Sequence, residues 1–274
     1  MLDQVLDQVL DPVPDPVLGP AHRSTAAPPS SPRLGAVASW FRRTRPRPPA
    51  PTLTSRDTAV AATRVDLHEL TPDIDDFLGH CAALHLTFFE QLSHAVANAP
   101  RVAEKDALAA AAATALERYR ALVAEMERLK LDRAAIMEPH LAGVQEFERR
   151  TMGADWHEQV ASAHVTIGFL SDFWMRLAAG LPREVRGHVE AALAAGDLEQ
   201  PLHAIVQRAI AANPRQSSRL ALWCRRLVGD TMLQARSALV LRADAPRDEE
   251  QIEPVFTELV AEHTRRMDRL GLTA

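Results

Sequence analysis

Glu90, Glu117 and Asp172 are carboxylates set inside apolar stretches, where an acid needs a partner or a metal. Glu90 lies in Leu86-Thr87-Phe88-Phe89-Glu90-Gln91-Leu92, Glu117 in Ala111-Ala112-Ala113-Thr114-Ala115-Leu116-Glu117, and Asp172 in Gly168-Phe169-Leu170-Ser171-Asp172-Phe173-Trp174. Acids on helices that face one another are raw material for a di-iron centre. A four-helix bundle builds one from a Glu on each of two helices and a Glu-x-x-His pair on each of the other two. The i, i+3 spacing puts both ligands of a pair on one face. Carboxylates bridge the metals and imidazole supplies nitrogen. No Glu-x-x-His occurs in the sequence. Glu90/His94 and Glu199/His203 are spaced i, i+4, which keeps a common face but also describes an ordinary solvated pair. His157 and His164, at i, i+7, share a face. Each acid alone reads first as a groove-side surface group; it is the three together that point to a buried polar centre.

Helices must position these residues. Apolar groups recur at helical spacing through Phe77, Cys81, Leu84, Phe88 and Leu92, with Asp66 or Thr71 as a cap and Pro72 suited to a first turn. Asn98-Ala99-Pro100 breaks that helix. A second helix is expected over 102–130, through an alanine run that favours helix. A loop near Glu138-Pro139 then leads to a segment around 141–151. A third long helix covers about 154–179, a fourth 183–212 (weakened near Gly196 and Pro201), a fifth 215–242 and a sixth 249–270. If the first two form a hairpin turning near 99–103, Glu90 and Glu117 come to similar heights. No stretch shows strand alternation with turn signals. The expected fold is all-α: an antiparallel four-helix bundle with two additional C-terminal helices packed beside it.

Composition agrees. Only 5% of the residues are aromatic while 47% are hydrophobic, which argues against a sandwich or barrel. Two cysteines, Cys81 and Cys224, exclude a disulfide framework and a cysteine-based zinc module. Both read as small buried helix residues. Eleven of the nineteen prolines fall in residues 1–60, which also hold a Leu-Asp-Gln-Val repeat. That stretch lacks the apolar groups to recover its ordering entropy and is expected to be a disordered Pro/Ala/Arg-rich tail. The helical domain is expected over 61–274. The tail carries Trp40-Phe41-Arg42-Arg43-Thr44-Arg45-Pro46-Arg47, either a solubilising cluster or a motif that docks an acidic surface, RNA or an anionic membrane. The tail has a net charge of +2 and the remainder −7, so the folded part is a poor general RNA surface. The acidic start and missing apolar core exclude a secretory signal, and no uncharged apolar run is long enough to span a membrane. The cytoplasm is the expected compartment.

Residues 61–274 resemble the actinobacterial ferritin-like proteins related to MiaE, the di-iron tRNA hydroxylase acting on an isopentenyl-modified adenosine. The resemblance rests on Val65-Asp66-Leu67-His68-Glu69-Leu70-Thr71-Pro72, Ile136-Met137-Glu138-Pro139 and Ser171-Asp172-Phe173-Trp174. It is strongest over Arg219-Leu220-Ala221-Leu222-Trp223-Cys224-Arg225-Arg226-Leu227-Val228-Gly229-Asp230 and Glu262-His263-Thr264-Arg265-Arg266-Met267. The family pattern is a Glu on the first helix, Glu-x-x-His on the second, an acid on the third and acid-x-x-His on the fourth. Glu90, Glu117 and Asp172 match the three carboxylates, as residual metal-ligand positions. The second-helix histidine falls at Arg120, and the fourth-helix pair falls at Ala195 and Leu198.

Both family histidines and one carboxylate are therefore replaced. Arg120, at i+3 from Glu117, is placed to neutralise Glu117 with Glu90 or Asp172 where iron would sit. The alternative is that Arg120 is simply exposed. Two functions follow. One is a bundle with a degenerate di-iron site, no cofactor and a binding or scaffold role. The other is a di-iron carboxylate oxygenase or hydroxylase, which the resemblance implies and which needs substitute ligands from His94, His164 or His203. A homodimer and a protein partner recruited by the tail complete the expectations. No nucleophilic triad, P-loop or dinucleotide turn is present.

Overall fold

The first helix starts two residues after Pro72, which therefore precedes its first turn, and stops before Pro100. In the computed structural model, which describes residues 67–241 and 245–272 (side chains for 69–241 and 252–272), it is α1, Ile74–Ala97. Asp75 and Asp76 occupy its first turn, where a helix favours negative charge. Phe77, Cys81, Leu84, Phe88 and Leu92 are all buried, as their spacing predicts. Thr71 does not cap it; its hydroxyl donates instead to the carbonyl of Leu177. The expected tail over 1–60, with its basic-aromatic cluster at 40–47, lies outside the described residues.

Helix α2, Val102–Arg128, runs antiparallel to α1 through the alanine run. Two helices differ from expectation. The segment after it is a full helix, α3, Arg133–Thr151, which passes through Pro139. Asp132 starts it early by accepting from the backbone N–H of Ala134 and Ala135 at 2.9 and 3.2 Å. Packing on α1 carries it past the proline: a Cβ built on Gly79 would lie 2.0 Å from the Ile136 carbonyl oxygen. So close a helix approach requires glycine. Helix α4 follows, Trp156–Ala178, capped by Asp155, which accepts from Glu158 N at 3.0 Å.

The expected helix over 183–212 is two helices, α5, Arg183–Ala194, and α6, Glu199–Ala212. Gly196 ends the first by adopting φ +61°, a left-handed conformation suited to glycine. Asp197 starts the second: its Oδ1 accepts from Glu199 N at 2.9 Å and Gln200 N at 3.0 Å. Helices α7, Arg215–Arg236, and α8, Ala245–Arg269, complete the chain, with Pro254 inside α8.

The described residues are all-α. Helices α1, α2 and α4 and the broken α5–α6 form the four legs of the bundle, with α1 packed on α2 and α4 and the α5–α6 leg packed on both of those. Helix α4 is buried on nearly all sides over 160–170. Helix α3 packs on the outside of α1, and α7 and α8 pack on α4. Trp223 on α7 donates its indole N–H to Ser162 Oγ on α4 at 2.8 Å. Among the described residues, no helix is long and apolar enough to cross a membrane.

Candidate functional site

The three acids singled out by sequence do not converge. Glu90 and Glu117 are exposed. Glu90 lies toward α3, near Glu148, whose carboxyl is raised by burial and then by the Glu90 charge. Asp172 is half-buried and paired with Arg266. Arg120 is exposed and forms no ion pair among the described residues, so it does not bridge the acids.

The physical reason is helical phase. On α1 the inward stripe runs Leu78, Cys81, His85, Phe88, Leu92, Ala95. Glu90 stands two residues past Phe88, about 200° around the helix. On α2 the stripe runs Leu108, Ala111, Ala115, Arg118, Leu122, Met126. Glu117 is one residue off it and Arg120 two. Sequence reasoning thus missed His85 and Arg118. The signal was present: both lie at alternating three- and four-residue steps from the apolar positions.

Arg118 is the cation inside the bundle, 6% exposed. It does not bind carboxylates. Its Nε donates to the carbonyl of Ala195 at 2.8 Å and its Nη2 to that of Gly196 at 3.2 Å. It therefore caps the end of α5 and holds the helix break. Opposite it on α1 are Cys81 and His85. Burial pushes the Cys81 thiol up, against the pull of Arg118. Burial, then the Arg118 charge, takes His85 down to about 3. Both groups are neutral at physiological pH.

A second guanidinium plays the part expected of Arg120. Arg266 on α8 is 4% exposed. Its Nε and Nη2 grip both oxygens of Glu199 on α6, at 2.8 and 2.9 Å, and Nη2 also donates to Asp172 Oδ2 at 2.9 Å. Burial works against its charge, but Glu199 and Asp172 outweigh burial and raise it. Space for it comes from Gly168, where a Cβ would lie 2.6 Å from Arg266 Nε. Two of the stretches that carry the family resemblance, around Asp172 and around Arg266, meet at this contact.

Beside it, His164 on α4 and His203 on α6 stand with ring centroids 5.6 Å apart. Both are lowered by burial, His164 to about 3. They line a cleft at the helix break that Arg118 also reaches.

The sequence model of the family described as a ferritin-like domain of actinomycetes matches residues 69–245, well over half of the chain. The chain belongs to this family. No curated protein matches the sequence. The matched span of the actinomycete ferritin-like domain takes in α1 through α7 and ends at the first residue of α8. Arg118 lies within it. Arg266 lies beyond it, so the cation for Asp172 and Glu199 comes from the helix that follows.

The ferritin-like fold implies a di-iron centre, and the donors present do not fit one. Among the described residues, no three His, Cys, Asp or Glu side chains converge to hold a metal. Midway along α1 and α2 the inward stripes carry Cys81, His85 and Arg118; the buried acids Glu104, Glu125 and Glu158 lie in the end turns of their helices and pair with Arg101, Arg128 and Arg219. Asp172 and Glu199 are committed to a guanidinium. Ala195 and Leu198, where the fourth-helix pair falls, lie in the break between α5 and α6 and carry no donor side chain.

Proposed function

We propose that this ferritin-like domain is a binding or scaffold protein that works without a di-iron centre. Its relation to MiaE-like hydroxylases is one of scaffold, not of chemistry. The single observation that carries this reading is Arg118 on the inward stripe of α2, held by the carbonyls of the helix break. A guanidinium is charged at every accessible pH and offers no lone pair to a metal. Placed inward beside Cys81 and His85, it replaces donor with repulsion where the fold would bring iron. Arg266 supports the reading from the other side, because it withdraws Asp172 and Glu199 from ligation. Oxygenase chemistry needs substitute ligands, and His94 is exposed while His164 and His203 have no converging third donor among the described residues.

The test is the iron content of the full chain purified from iron-replete cells. The expected result is no stoichiometric iron. About two irons per chain, the complement of a di-iron bundle, would overturn the reading.

A further inference from the structure

The cleft at the helix break has a volume of about 470 Å³, within the range of small-ligand sites. Its lining includes Arg118, His164, Ser171, Glu199, His203 and Arg269. His164 is 1% exposed, yet neither ring nitrogen has a hydrogen-bond partner. Ser171 Oγ in the same lining is also buried and unpartnered. Three unsatisfied buried polar atoms on one helix, all on residues that line one cleft, are costly unless something meets them.

The lining also shows the sign of what is missing. Its carboxylates are spoken for: Asp197 caps α6, and Glu199 grips Arg266. Its cations have no carboxylate in hydrogen-bond contact. Arg118 hydrogen-bonds two neutral carbonyls, with the Asp197 and Glu199 charges acting on it only from farther off, and Arg269 forms no ion pair among the described residues. The charged neighbours that act on His164 are Arg266 and Arg269, both cations.

We propose that this cleft binds a small organic anion, with Arg118 and Arg269 facing its charge and His164 and Ser171 hydrogen-bonded to its oxygens. This rests on the reading of the chain as a binding protein and names its ligand class. Iron analysis tests that reading; the titration below tests only this one.

The experiment uses the full chain at constant ionic strength, with calorimetry and thermal melts. The probes are citrate and glucose 6-phosphate, with glucose as the uncharged control and inorganic phosphate and zinc as the inorganic ones. At least one of the two organic anions is expected to bind saturably at one site and raise the melting temperature, while glucose does neither. Arg269→Ala and His164→Leu are each expected to weaken that anion by about tenfold or more. Without ligand, His164→Leu is expected to melt at or above the parent temperature, because it removes polar atoms that have no partner. A histidine with a purely structural role would instead lower it. Arg269 is exposed, so its variant decides the matter if His164→Leu does not fold. Three outcomes would overturn the proposal: no saturable binding of either organic anion, anion binding unchanged by both substitutions, or binding of zinc alone that His164→Leu abolishes.

Discussion

Among the described residues, two guanidiniums are buried in the helical core, and they are held in opposite ways. Arg266 binds two carboxylates, Asp172 and Glu199, and ties α8 to α4 and α6. Arg118 binds two carbonyls and ties α2 to the gap between α5 and α6. Each makes two or three hydrogen bonds and each is almost fully buried, so a bond count would rank them together. What each leaves behind when removed ranks them apart. Without Arg266, two negative charges face each other across a helix interface. Without Arg118, two neutral carbonyls remain beside Gly196, which is exposed to water.

The largest expected effect is therefore at Arg266. Breaking a buried pair by removing one partner costs about 3–5 kcal/mol. Asp172 and Glu199 are about one-third exposed, so water offsets part of that, and Arg266→Met should sit at the lower end, about 3 kcal/mol. Urea unfolding of the full chain measures it. Adding Glu199→Gln to Arg266→Met should recover part of the loss, because it removes one stranded charge. A double variant no more stable than the single would mean that the arginine acts through packing alone.

Arg118→Met should cost less, about 1–2 kcal/mol, as expected for lost hydrogen bonds to groups that water can reach. The same unfolding experiment checks it. A loss equal to that of Arg266→Met would break the comparison, and would mean that the helix break depends on its capping cation.

These two arginines also mark what could be read from sequence. Most helix boundaries were legible, because apolar spacing, Asn98-Ala99-Pro100 and the alanine run are local signals; the number was not, six helices being expected where the described residues hold eight. The split at Gly196 was visible only as a weakness, since its depth depends on Arg118, 77 residues away from Ala195. The helix through Pro139 was hidden for the same kind of reason: contact with Gly79 overrides a local breaker. The site failed on phase. Glu90, Glu117 and Arg120 were chosen by residue type inside apolar runs, and a run does not say which face is inward. Following the stripe from Leu108 through Ala115 to Leu122 puts Arg118 inside. No local signal pairs Asp172 with Arg266, which stand 94 residues apart.

Where two buried arginines keep their charge, the buried histidines surrender theirs. His80, His85 and His164 are each held at about 3 and His263 at about 4, by burial first. For His164 the next causes are Arg266, His203, Arg269 and His263, so the guanidiniums themselves oppose a further charge. In the unfolded chain a histidine takes up its proton near 6.5. The folded chain resists until about 3, so the unfolded state binds more protons between those values. Stability is therefore complete above pH 6.5 and falls as pH drops toward 3. Each such histidine steepens that fall by up to about 1.4 kcal/mol per pH unit. His164→Leu should flatten the acid limb by one proton's slope while leaving stability at pH 7.5 equal or higher, as read from urea unfolding between pH 7.5 and 4.5. An unchanged slope would mean that the folded interior accepts a proton on His164 beside Arg266. The two buried guanidiniums would then not set the limit on charge that their contrasting partners imply.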